Sequence, residues 1–278
     1  MATRSWTEDG GGRSRAVGSG VTDDVAGPTL FVRYAFPPNF HGSCGPPDSQ
    51  ALFQYGATAT VDNGLRDLAR QFAGAWPYLE LIARATGVND PLDRRVVEAY
   101  WVGNRLLDRV GVRPLAQSME DRFRLTTGLR FGRLADAALV GGMPHHSYHV
   151  FCIYPWVGLL GDDRRYEQAL MVLDRCRIRW GQVQQVGADR LVVSSPPLRF
   201  DEGRLFLGSP IVETVERTLK GVGLVPQFQV GDWVSMHWEW VCDRLDAGQL
   251  AALRHYTRLH LDVVNDRLDH SGALTALG

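Results

Sequence analysis

Apolar residues recur at helical spacing through the first half of this chain and alternate with polar ones through much of the second. The 3.6-residue period runs through residues 63–72, 77–85 and 91–110, with Asp90 placed to cap the third segment, Pro91 at its first helical position, and Gly87 and Gly111 as stops. Residues 121–140 and 162–175 carry the same period. Asp48 is placed to cap a further helix through Ala51, Leu52 and Tyr55. Before it, residues 30–36 are apolar and aromatic, and residues 37–49, rich in Pro, Gly and Ser, predict a structured loop rather than a linker, folded over another part of the structure. In the second half, the Gly231-Asp232 turn signal precedes a strict alternation. Trp233, Ser235, His237 and Glu239 fall on one face, and Val234, Met236, Trp238 and Trp240 on the other. Strand-like runs at residues 178–186, 190–194, 205–208 and 211–219 are separated by turn residues, and residues 246–263 close the pattern as an amphipathic helix.

The elements predict an α+β protein: a mainly α-helical N-terminal domain over residues 28–172, then a small β-barrel with a C-terminal helix over 173–265. Residues 1–27 are Gly-, Ser- and Arg-rich with few large apolar side chains, so they are expected to form a disordered tail. Residues 266–278 are expected to be a flexible C-terminus.

A length of 278 residues with 45% apolar composition is enough to bury a substantial core. Thirty basic residues stand against thirty-one acidic ones, and no basic run is interleaved with aromatics, which argues against a nucleic-acid partner. No stretch approaches the ~20 apolar residues a membrane span requires. Lys220 is the sole lysine, an arginine bias that suggests a high-GC, actinomycete genome. The four cysteines are far apart, match no Cys-x-x-Cys spacing, and are read as free thiols of a cytoplasmic protein.

Two sets of motifs carry resemblances. Cys176-Arg-Ile-Arg-Trp-Gly-Gln-Val183 and Val230-Gly-Asp-Trp-Val-Ser-Met-His237 bracket the strand-rich segment. They resemble the opening and closing motifs of hydrogenase-maturation chaperones of the HypC/HupF type. The resemblance implies an OB-type barrel and, as one function, an accessory role in metalloenzyme maturation using Cys176 and His237 to hold a ligand or partner. Two departures stand out: Cys176 is internal where those chaperones place it next to the initiator methionine, and Trp180 replaces their proline. The second set comprises residues 33–39, Cys44-Gly-Pro46, residues 74–83 and residues 98–104. It is similar to a bacterial family that includes the large subunit of the two-component enzyme closing the aziridine ring in azinomycin- and vazabitide-type biosynthesis. That resemblance implies an enzyme eliminating sulfate from a carrier-bound amino acid by attack of the neighbouring amine. It also implies a small protein subunit and an amino-group carrier protein as partners, with no cofactor. A non-catalytic scaffold subunit is the third possibility.

Ring closure needs a base for the amine and donors for the departing sulfate. Asp48, Glu80 and Glu98 are the candidate bases, although Asp48 equally suits a helix cap and each glutamate a solvated or arginine-paired position. Arg33, Tyr34, Asn39, His41, Trp101, Asn104, His145, His146 and His149 are the candidate substrate or sulfate contacts. The His145-His146-x-x-His149 run tempts a metal assignment, but it has no intervening Glu and follows a Gly-Gly-Met-Pro break, so no metal is expected there. The tryptophans at 180, 233, 238 and 240 are expected in core or interdomain packing, or at a partner interface.

Overall fold

A computed structural model of the chain describes residues 25–111, 114–115 and 141–276, with side chains through Asp269. Most of the expected tail, and the helix expected at 121–140, lie outside the described residues. The fold is α+β. Five helices, α1 (Gly27–Phe40), α2 (Ser49–Thr58), α3 (Asn63–Arg70), α4 (Trp76–Thr86) and α5 (Arg94–Trp101), form the first layer. A short turn of helix, α6 (His146–Tyr148), continues into a π-helical turn (His149–Ile153) and is followed by α7 (Tyr166–Cys176). Nine short strands then lead to the long α8 (Ala247–Ala276).

The predicted loop at 37–49 is partly helix. Pro37 and Pro38 lie in the last turn of α1, which is almost wholly buried. Proline there removes two main-chain donors, and the end of the helix is held by other means. Ser43 N–H reaches the Pro38 carbonyl at 2.8 Å, and the Asn39 side chain donates to the carbonyls of Cys44 (2.9 Å) and Pro46 (2.6 Å). The loop proper is residues 41–48. It is pressed so closely onto Phe72 that a Cβ on Gly45 (φ +87°) would meet that ring at 2.4 Å.

The helix predicted over 91–110 is shortened at both ends. Asp93, not Asp90, caps α5, while Asp90 forms a two-bond ion pair with Arg66 at 2.8 Å. The helix stops at Gly103 (φ +98°), where the backbone passes against Tyr256 of α8 and a side chain would collide with its ring. At the other end of the chain, α8 runs on to Ala276, through residues 266–276 where the sequence predicts flexibility.

In the mixed sheet, β1 (Arg179–Val186) pairs antiparallel with β2 (Arg190–Ser195) and β8 (Trp233–His237). Strand β2 pairs with β5 (Ile211–Glu216), and β8 with β9 (Trp240–Arg244). The order β1-β2-β5-β9-β8 returns toward its start through a single parallel pair, Glu216 opposite Trp240. Two small hairpins, β3 (Leu198–Asp201) with β4 (Arg204–Leu207) and β6 (Thr218–Leu219) with β7 (Val222–Gly223), stand beside it. The expected alternation over 233–240 holds only to His237. Trp238 and Glu239 form the tight turn into β9. Val234 and Met236 face the sheet's own apolar core with Val183, Leu191 and Val193. Ser235 and His237 face α1, where Ser235 Oγ is 2.8 Å from the Tyr34 hydroxyl.

The largest apolar cluster runs without a break from α1 and α4 through Trp101 to Trp180, Trp240 and Cys242 of the sheet and Leu253 of α8. Helices and one face of the sheet therefore share this core, and the sheet keeps a second apolar cluster of its own. Burial of this kind contributes about 25 cal/mol per Å² of apolar surface. The continuity fixes β8 against α1 and so places the functional groups described next.

Candidate functional site

Antiparallel pairing carries Cys176 and His237 to one spot. Arg179 of β1 is in register with Met236 of β8, so the residues just before Arg179 and just after Met236 meet at the same end of the sheet. The turn that begins α6 adds His146. One ligand atom from each of His146, Cys176 and His237 lies within 4.8 Å of the others, and all three residues are buried.

The imidazoles are oriented by main-chain carbonyls. Pro38 has no N–H to give to the Tyr34 carbonyl one turn earlier, and the His237 Nδ1–H donates to that oxygen at 2.7 Å. The His237 Nε2 is left as a lone pair, buried and without a hydrogen-bond partner. His146 donates its Nε2–H to the Cys176 carbonyl at 2.8 Å. Its Nδ1 faces the Tyr100 hydroxyl at 3.2 Å, whose proton goes to the Gly74 carbonyl at 2.9 Å. Metal-ligating imidazoles are typically held this way, one ring N–H on a carbonyl and the other nitrogen presented to the ion. Burial pushes His146 down to about 4 and His237 well below the usual histidine range, and it drives the Cys176 thiol upward. Both rings are therefore neutral at pH 7, and the thiol keeps its proton.

These groups form one wall of a cavity of about 320 Å³ whose other walls include Phe72, Tyr100, Trp101, Tyr154, Trp156 and Trp238. Trp238 takes φ +52° in the first position of its turn, where glycine is usual. Such backbone costs on the order of 1 kcal/mol or more. It is held by its N–H on the Arg175 carbonyl (2.7 Å), by Arg179 donating to its own carbonyl, and by the His41 ring stacked at 4.0 Å. His41 is exposed and sits at the rim with Cys44.

The expected site residues divide. His41, Trp101, His146 and His149 line the cavity, His149 with its Nδ1 3.2 Å from the Tyr78 hydroxyl. Arg33 is buried in an ion pair with Asp243 at 2.7 Å, Tyr34 stacks on Trp101, and Asn39 ties the loop. Asp48 caps α2 through the Ala51 N–H at 2.9 Å. Glu80 is exposed beside Arg84, and Glu98 accepts from Asn104 (3.1 Å) and Gln249 (3.0 Å) in a separate groove against α8. None of the three acids lines the cavity. His145 points away from it, into α8. Sequence reasoning treated His145, His146 and His149 as one run and so missed that His146 has its partners at Cys176 and His237. The available signal was that Cys176 and His237 mark the two ends of the chaperone-like segment.

Residues 23–271 match the profile of a family of unknown function, DUF6390. The chain belongs to the DUF6390 family. No curated protein and no solved structure matches it. Among the described residues, no helix of this DUF6390 member is long and apolar enough to cross a membrane.

Proposed function

We propose that this protein binds a transition-metal ion through Cys176, His146 and His237 and acts as an accessory protein in handling a metallocentre. The observation that carries the reading is the convergence of a sulfur and two imidazole donors within 4.8 Å at the wall of a cavity. One thiolate and two neutral imidazoles suit Zn, Cu, Co, Ni or Fe, and three protein ligands leave a coordination position open toward the cavity. The role matches what resemblance to the HypC/HupF chaperones implies for Cys176 and His237. A strand order that turns back on itself supports the OB-type barrel of the same resemblance. The partner would be the metalloprotein that receives the ion. Sulfate elimination gains no comparable support, because Asp48, Glu80 and Glu98 all lie off the cavity.

Titrating the purified protein with Co(II) tests the reading. We expect one ion per chain with a sulfur-to-cobalt charge-transfer band, and loss of that band in Cys176→Ser. A protein that binds no cobalt, or a C176S variant that keeps the band, overturns it.

A further inference from the structure

The β3–β4 hairpin has a main-chain edge that the rest of the fold fills only in part. Gly208 N–H bonds the Pro197 carbonyl at 2.8 Å, so along this ladder residues 197, 199 and 201 bond 208, 206 and 204, and the main-chain groups of the residues between them point outward. On β3 side chains use them: Asp174 accepts the Leu198 N–H at 3.0 Å, and the Tyr166 hydroxyl donates to the Phe200 carbonyl at 3.1 Å. On β4 the Asn265 amide takes both groups of Leu205, accepting its N–H at 2.8 Å and donating to its carbonyl at 2.9 Å, as a neighbouring strand would. Leu207 presents its N–H and carbonyl to the same side, and no described residue takes either.

That side is a groove of about 740 Å³ between β4 and α8, with Trp180 of β1 in its lining. Arg204 is paired with Asp269 and Leu205 with Asn265, so α8 runs opposite to β4, and its earlier turns carry Arg258 and Arg254 along Leu207 and beyond. These two arginines, one helical turn apart, have no carboxylate partner among the described residues. The Arg254 guanidinium lies over the rings of Trp233 at 4.8 Å and Trp180 at 5.8 Å, contacts that fix its position and leave its N–H groups unbonded. Two unpaired guanidiniums beside an open strand edge are complementary to an extended segment that carries carboxylates. Asp201, Glu202 and Asp262 in the same lining disfavour a polyanion such as nucleic acid, and a lone carboxylate or phosphate would leave the Leu207 groups unused.

We propose that this groove binds an extended, acidic segment of a partner protein, added antiparallel to β4 as a third strand, with its main chain on Leu207 and its carboxylates on Arg254 and Arg258. A strand antiparallel to β4 begins at the Arg254 end, so the acidic residues precede the strand in the partner's sequence. The groove shares no lining residue with the Cys176 cavity, and the inference does not depend on the metal reading.

The probe is a fluorescein-labelled peptide of three glutamates followed by alternating valine and threonine, both ends blocked, read by fluorescence anisotropy on the full chain. We expect saturable binding, weakened about tenfold or more by glutamine in place of glutamate, by reversing the order of the two halves, or by the double substitution Arg254→Gln with Arg258→Gln. Arg258 is exposed, so Arg258→Gln alone leaves the fold intact and should weaken binding about threefold. Only alternate strand residues can face Leu207, so N-methylation of either the valines or the threonines should abolish binding while the other set is tolerated. No saturation up to about 1 mM peptide overturns the inference. Glutamate-dependent binding that survives Arg258→Gln and the double substitution undiminished places the peptide elsewhere and overturns it too. Binding that tolerates both N-methylated peptides refutes strand addition. Cys176→Ser should bind the peptide as the parent protein does, so a failure here and a failure of the metal reading are seen separately.

Discussion

His145 and His146 are neighbours in sequence, equally buried, and opposite in what their surroundings leave undone. His146 gives one N–H to the Cys176 carbonyl and turns its ring toward a cavity, with the His237 ring 5.1 Å away. His145 turns the other way. Its Nδ1 accepts from the Ser147 N–H at 3.1 Å and lies 2.7 Å from the Ser147 hydroxyl, which in turn lies 2.7 Å from His260 Nδ1 on α8. Tyr256 stacks on its other face at 4.9 Å. Ser147 thus links two imidazoles into a clamp between α6 and α8, whereas Cys176 joins two imidazoles around space. Burial is the same in both places, and the Nε2 atoms of His145 and His260 lack a hydrogen-bond partner just as that of His237 does. What separates a ligand set from a structural clamp is the company: His146 and His237 converge with a sulfur donor at the wall of the cavity, whereas His145 and His260 meet at a serine and do not line that cavity.

Alanine at one histidine of each cluster tests that distinction most strongly. His237→Ala should weaken cobalt binding by about 100-fold or more, close to 3 kcal/mol. His260→Ala should leave cobalt affinity within about twofold and lower the free energy of unfolding by about 1–3 kcal/mol, because it removes one partner of the Ser147 hydroxyl and opens the packing of α8. Metal titration and urea unfolding on both variants read the two effects separately. A His260→Ala protein of normal stability that no longer binds cobalt would erase the difference between the clusters.

Acid should act on both clusters at once, and metal should separate them. Burial, the leading cause in each case, holds His146 down to about 4, His260 to about 3, and His145 and His237 well below the ordinary histidine value. The unfolded chain takes up these protons near pH 6.5, and the native protein does not. Stability is therefore fully present above about pH 6.5 and falls as pH drops toward 4, with His146 alone accounting for about 3 kcal/mol. Unfolding curves at pH 7, 6 and 5 should show it. Adding cobalt should raise stability more at pH 7 than at pH 5, since below neutrality protons compete for the ligands. His260→Ala should flatten the metal-free slope without changing that cobalt dependence. A metal-free stability that stays level from pH 7 to 5 would mean that neither cluster resists protonation.

Much of this contrast was hidden in the sequence for physical reasons. Periodicity located α3 and α4, the first two strands, the Gly231-Asp232 turn and the start of the closing helix, because each buries one face at its own period. It failed at α1, where Pro37 and Pro38 mimic a loop while the His237 imidazole takes the Tyr34 carbonyl that Pro38 leaves free. It failed again at α5, where only the approach of Tyr256 from α8 explains the stop at Gly103. The histidine run was legible as a concentration of chemistry but not as two opposed clusters, since the direction of each ring depends on partners 30 to 115 residues away. Cys176 and His237 were legible as the ends of one segment. That they meet His146 depends on strand register and on the turn after Pro144, neither of which local spacing encodes.

The smallest expected effect concerns a residue outside both clusters. Asp48 has the position of a candidate base, beside the Gly-Pro-Pro turn, but its carboxylate accepts the Ala51 N–H from an exposed site at the start of α2. Removing a cap of this kind typically costs about 1 kcal/mol, and asparagine, which accepts the same bond, should recover most of it. Asp48→Ala should therefore lose about that much stability, Asp48→Asn a few tenths, and neither should alter cobalt affinity, because the loop beyond the cap is held independently by Asn39. The pair of variants also discriminates between a cap and a base. A base loses its function in the amide while a cap keeps it, so a sulfate-eliminating activity lost in Asp48→Asn at unchanged stability would move the chemistry from the imidazole wall to the loop.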